Sequence, residues 1–210
     1  FNPRAGIATD GDVNSVFVHG RLIMSRSRVT HLAAGAGDAV SVSGTNSQAV
    51  LFESTIASGG RAAASIVGLR CELGGQCGVH GSTLTGWTNT SGAAGLATRA
   101  TAMTCGRGSL CAVTESTLVG ATGAASVGHG YEAEGGISFL DRSIVRGGCA
   151  DQSTGVSLEA GVARLENNEI SAALGCEADG LARTATGLRV GGTASVDSVY
   201  NSIDAGEVCA

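Results

Sequence analysis

Lysine is absent from this chain of 210 residues, proline occurs once, and aromatic residues make up only 3% of it. Each scarcity excludes something. All 13 basic residues are Arg and face 18 acidic ones, for a formal net charge of −5. There is thus no basic field for a phosphate backbone, and so few rings offer no platform on which single-stranded bases could stack. Nucleic acid is not an expected partner. The all-Arg usage reads as codon bias of a GC-rich genome. No apolar run approaches the roughly 20 residues that span a bilayer, so no membrane insertion is expected in this segment. With little Pro and no Gly at every third position, collagen is excluded as well. The chain opens at Phe1 rather than Met, as expected of a processed form or a piece of something longer.

Glycine is plentiful, at 34 residues, and 43% of the chain is apolar. The mean hydropathy of +0.21 is too high for a charge-swollen disordered chain. Gly recurring every few residues would cost each helix about 1 kcal/mol per occurrence, which argues against helices.

A short phrase returns seven times: Ser27-Arg28-Val29, Ser54-Thr55-Ile56, Ser82-Thr83-Leu84, Ser116-Thr117-Leu118, Arg142-Ser143-Ile144, Asn168-Glu169-Ile170 and Asn201-Ser202-Ile203. Successive aliphatic anchors are 26 to 34 residues apart. The residues seven and five places before each anchor are apolar in nearly every copy, from Leu22 and Met24 through Cys77 and Val79 to Ile137 and Phe139. That is a period-2 strand with one face always buried. A second apolar strand precedes it in most copies, as Val40/Val42, Ile66, Val156/Leu158 and Leu188/Val190. Such a unit cannot bury its apolar face alone, whereas stacked coils share a continuous core. The expectation is an all-β, right-handed parallel β-helix of about seven coils of 26–34 residues, roughly 34 Å long. One domain covers residues 1–210, with an irregular lead-in over 1–14, stacked coils over 15–206 and a tail over 207–210.

The phrases Glu53-Ser54-Thr55-Ile56, Glu115-Ser116-Thr117-Leu118 and Asn167-Asn168-Glu169-Ile170 resemble the right-handed β-helix superfamily, also called pectate-lyase-like. The resemblance covers nearly the whole chain. It implies a fold shared by polysaccharide lyases, galacturonases, phage tailspikes and many bacterial surface proteins, and it says almost nothing about function.

Seven cysteines remain to be explained. Cys71 and Cys77 recur one coil later as Cys105 and Cys111 with the same spacing. They can bridge within coils, Cys71 to Cys77 and Cys105 to Cys111, or between coils, Cys71 to Cys105 and Cys77 to Cys111. The within-coil pairs are preferred. A zinc site and buried free thiols are the rivals. Cys149, Cys176 and Cys209 fall at one corner. A bridge between Cys149 and Cys176 leaves Cys209 unpaired or intermolecular. Disulfides imply an extracellular, cell-surface or periplasmic address.

Candidate chemistry is sparse. Gly128-His129-Gly130 matches part of a galacturonase site, but the chain has no Asp-Asp pair to protonate a leaving oxygen and activate water, and a turn is the plainer reading. Glu115 and Asp141 precede their anchors by three residues on adjacent coils, near the spacing of a retaining glycosidase pair, with Arg142 as a lyase-like base beside them. A solvated corner ladder, with Arg26 over Glu53, is the competing reading. Asp10, Asp12 and Asn14 match the first ligands of a calcium loop, which then fails at Ser15 and Arg21. Trp87 is the one residue suited to stack on a sugar. No cofactor is expected. The function expected is a secreted or surface-displayed structural or adhesive module, self-associating end to end or attached to the remainder of a larger chain. The alternative is a β-helix that binds or degrades polysaccharide.

Overall fold

The structure, a computed structural model, describes residues 6–10, 16–33, 37–60, 63–88, 97–172 and 184–205. It is an all-β parallel solenoid of about five turns, with no helix among the described residues. The strands come coil by coil. β1 (Gly6–Asp10), β2 (Val16–Val18) and β3 (Arg21–Ser25) are followed by β4 (Arg28–Ala33), β5 (Gly37–Ser43) and β6 (Gln48–Phe52). Next come β7 (Thr55–Gly60), β8 (Ala63–Glu72) and β9 (Gln76–His80), then β10 (Thr83–Thr88), β11 (Ala97–Cys105) and β12 (Leu110–Thr114). β13 (Thr117–Asp141) and β14 (Ile144–Glu166) each run continuously through all three sides of a coil. β15 (Glu169–Ser171), β16 (Thr184–Val199) and β17 (Ser202–Asp204) complete the order. Every strand pairs in parallel with its counterpart one coil away, as β10 does with β7 and β13. Seven anchors delimit six intervals, and the last is largely exposed along β16, Val190 included, because no further described coil covers it. Hence the stack is shorter than the seven coils expected.

The anchors stack in register as Val29, Ile56, Leu84, Leu118, Val145, Ile170 and Ile203. The fifth is Val145, not Ile144. This one-residue correction turns over the strand before it: Ser138 and Leu140 are buried, whereas Ile137 and Phe139 are 46% and 43% exposed. A serine is tolerated inside because the buried Tyr131 hydroxyl lies 2.8 Å from its Oγ.

The corner before each anchor explains the recurring polar residue. Arg26, Glu53, Gly81, Glu115, Arg142, Asn167 and Tyr200, one per coil, all have φ between 44° and 56°. Six of these are not glycine, and each bears a cost of about 1–2 kcal/mol for the left-handed conformation. Hydrogen bonds across coils offset it. The Glu53 amide donates to His80 O at 3.0 Å and the Glu115 amide to Asp141 O at 3.1 Å. The next residue forms a ladder: the amides of Ser27, Ser54, Ser82 and Ser116 donate to the Oγ of Ser54, Ser82, Ser116 and Ser143 at 3.0–3.2 Å. Asn168 and Asn201 continue it with Oδ1 as acceptor, at 2.9 and 2.8 Å. Each serine hydroxyl also donates to a carbonyl two residues back, as Ser116 does to Thr114 O at 2.7 Å. A small side chain with an acceptor oxygen is what this place needs, hence Ser or Asn.

Glycine serves a different purpose. A Cβ at Gly86 would stand 2.6 Å from Gly120 O and 2.5 Å from Thr101 C, and one at Gly130 would stand 2.7 Å from Arg146 O. The first and second sides of the coil therefore touch backbone to backbone, and the interior is pinched. The main core runs through Leu51, Leu69, Met103, Tyr131 and Leu158, and beyond the pinch lies a smaller core of Ile66, Trp87, Ala97, Ala100, Ala121, Ala125 and Ala150.

Candidate functional site

The pinch shapes the outside as well. Gly128 and Gly130 face the opposite wall, so His129 between them points outward, and Glu132 does so between the core residues Tyr131 and Ala133. The two outward columns converge, with His129 Nδ1 3.8 Å from Glu132 Oε1, along a trench that their own side chains fill. One column holds Asp38, Val67, Thr101, His129 and Thr154 in register. The other holds Ser41, Arg70, Thr104, Glu132, Ser157 and Arg189. Most of these are buried although they lie on the outer side.

Three ion pairs tie the coils together two by two along this trench. Arg70 grips Asp38 through Nε at 2.7 Å and Nη2 at 3.2 Å. Arg99 pairs with Glu132, and Arg189 Nη2 lies 3.4 Å from Glu159. His129 Nδ1 is 3.8 Å from Glu132 Oε1 and has no hydrogen-bond partner, nor have the buried hydroxyls of Thr101 and Thr104. Burial, reinforced by the Arg99 and Arg189 guanidinium groups, lowers the His129 pKa to about 4. The imidazole is neutral at pH 7. Burial likewise raises the Glu132 pKa, against the opposing pull of Arg99. The trench is thus filled by buried hydroxyls, a neutral imidazole and self-neutralised charges.

The Gly-His-Gly segment is thus strand rather than turn, and its glycines are required by the opposite wall. Nothing local in the sequence marks Arg99, Glu132, Asp38 or Arg70. The available signal is opposite charges one coil apart, 33 residues for the first pair and 32 for the second.

The register at Val145 shifts the column expected for Glu115 and Asp141 by one residue. Arg142, not Asp141, stacks in the left-handed column with Glu115, at 2.8 Å, and its Nε binds Asp141 at 2.9 Å. The guanidinium holds the Asp141 carboxyl below its usual range, with help from the Asn167 side chain. These groups form an exposed mixed-charge ladder, and Arg26 pairs with Glu53 at 2.6 Å further along it. Trp87 is fully buried in the smaller core and so cannot stack on a sugar. Asp10 ends β1, and Asp12 and Asn14 lie outside the described residues. Among the described residues no three His, Cys, Asp or Glu side chains gather as a metal site.

Cys71 bridges Cys77 and Cys105 bridges Cys111, each with Cα atoms 6.2 Å apart, which is the within-coil pairing. The two bridges stack in register in the core. Cys149 is half-buried in β14, and Cys176 and Cys209 lie outside the described residues. In comparisons with known proteins, no family model, curated protein or solved structure matches this chain.

Proposed function

We propose that this chain is a structural or adhesive module of a secreted or cell-surface protein, built on a right-handed, pectate-lyase-like β-helix and without a catalytic centre of its own. The observation that carries the reading is the pair of buried disulfides stacked in adjacent coils, which fits an oxidising compartment. The trench ion pairs and the serine–asparagine ladder support it, because both spend polar side chains on binding coil to coil. A second reading, binding or cleavage of polysaccharide, draws on the hydroxyl-lined trench around His129. The two part in one assay: acidic and neutral polysaccharides are incubated with the wild-type chain and with Glu132→Gln. A structural module leaves chain lengths unchanged. Shortening that Glu132→Gln abolishes would overturn the reading.

A further inference from the structure

The side chains that fill the second-side trench do not all satisfy one another. Thr101 Oγ1, Thr104 Oγ1 and His129 Nδ1 are buried without a hydrogen-bond partner, on residues only 1%, 2% and 7% exposed. Leaving one such atom unpaired is costly, and three of them fall on one small patch of wall. β11 and β13 pair so that Thr101 lies beside His129 and Thr104 beside Glu132, one coil and about 4.8 Å apart. Within β13 the tips of His129 and Glu132 approach each other, and Nδ1 stands 3.8 Å from Oε1. That is too long for a direct hydrogen bond, and it is a separation that a single oxygen bridges at about 2.8–3.0 Å from each end. On the neighbouring coil Arg70 closes directly on Asp38 at 2.7 and 3.2 Å, and no such gap is left there.

Charge and size select the occupant. The Glu132 carboxylate is paired with Arg99, and burial together with Arg99 and Arg189 keeps the His129 imidazole neutral at pH 7. The patch therefore has no excess charge with which to hold an ion. Two hydroxyls and a neutral imidazole can each donate or accept, which suits a small molecule that does both. Up to four polar groups border the place, within the two to four partners usual for a buried water.

We propose that one buried water molecule is an integral part of this wall, bound between His129 Nδ1 and Glu132 Oε1 and shared with the hydroxyls of Thr101 and Thr104. It joins β11 to β13 beside the Arg99–Glu132 pair and satisfies the polar atoms that the side chains leave unpaired. The patch is then a seam between two coils, closed by water on the inside of the trench.

A high-resolution crystal structure of the full chain tests this. The expected result is a solvent peak about 2.7–3.2 Å from both Nδ1 and Oε1. Soaking in bromide or in rubidium separates water from an ion, because only an ion site gains anomalous signal. Unfolding in urea gives an independent reading. Thr101→Val is nearly isosteric: removing a hydroxyl that holds the water should raise the unfolding equilibrium constant about fivefold, whereas a hydroxyl buried dry would be relieved by Val and the constant would fall. Thr101→Ser keeps the oxygen and should keep the solvent peak. Thr117→Val, half-buried on the first side, should change the constant by less than about twofold. No peak between His129 and Glu132, an anomalous signal there, or a Thr101→Val chain as stable as the wild type or more so would each overturn the proposal.

Discussion

Substituting Gly86 by Ala probes the pinch directly. The added methyl would lie 2.5 Å from Thr101 C and 2.6 Å from both Thr101 N and Gly120 O, all backbone atoms of hydrogen-bonded strands. Ordinary contact requires these atoms to retreat by almost 1 Å, a gap that forfeits a large part of each neighbouring dispersion well. Overpacking costs about 1–3 kcal/mol where side chains can give way, and here only backbone can, so about 3 kcal/mol is expected. For a domain of this size that lowers Tm by roughly 6–12 °C. Gly78→Ala is the control, since its methyl meets only the two Val50 methyls, at 3.6 and 4.0 Å, and should change stability by no more than about 0.5 kcal/mol. Both are compared by thermal and urea unfolding under oxidising conditions. If Gly86→Ala is as mild as Gly78→Ala, the two walls do not meet backbone to backbone and the explanation of the glycine content fails.

Each disulfide closes a short loop, Cys71 to Cys77 or Cys105 to Cys111, and the chain-entropy relation gives about 2.4 kcal/mol apiece. Reduction should therefore lower unfolding stability by about 5 kcal/mol, as measured by urea titration with and without reductant, and an unchanged midpoint would contradict the bridges. His129 imposes a pH dependence of known sign. Its folded pKa of about 4 lies below the ordinary 6.5, so the unfolded chain takes the proton first and stability falls as pH drops from about 6.5 towards 4. The loss from this group approaches about 3 kcal/mol, and in urea unfolding from pH 7 to 4.5 His129→Asn should flatten that slope.

The solenoid was legible because its determinants are local and repeated. Ser54-Thr55-Ile56 and its counterparts encode the ladder oxygen and the buried anchor within three residues, and the paired cysteines share a register. The fifth copy misled because Ser143-Ile144-Val145 offers two adjacent aliphatic residues, and the apolar Ile137 and Phe139 were natural choices for the interior. Their true neighbours, Ser138 and Leu140, face inward since Tyr131 reaches Ser138 from the second side of the same coil. The trench stayed hidden for a related reason. Arg99 and Glu132 meet only because β11 and β13 are paired, and the glycines around them have close partners that lie on the opposite wall. Such proximity has no signature in a single stretch of chain.

The serine–asparagine ladder carries an evolutionary consequence. Each amide donates to the side chain of the next coil in the same direction, from Ser27 through to Asn201, so every level presents to its successor the surface that it received. Duplicating one coil's worth of gene, or deleting it, would change the length of the rod while leaving each remaining junction chemically familiar. The substitution of Asn for Ser in the last two steps shows that the junction tolerates a change of residue provided the acceptor oxygen stays in place. Length in such a molecule can drift by whole turns, with little need to reinvent its cross-section.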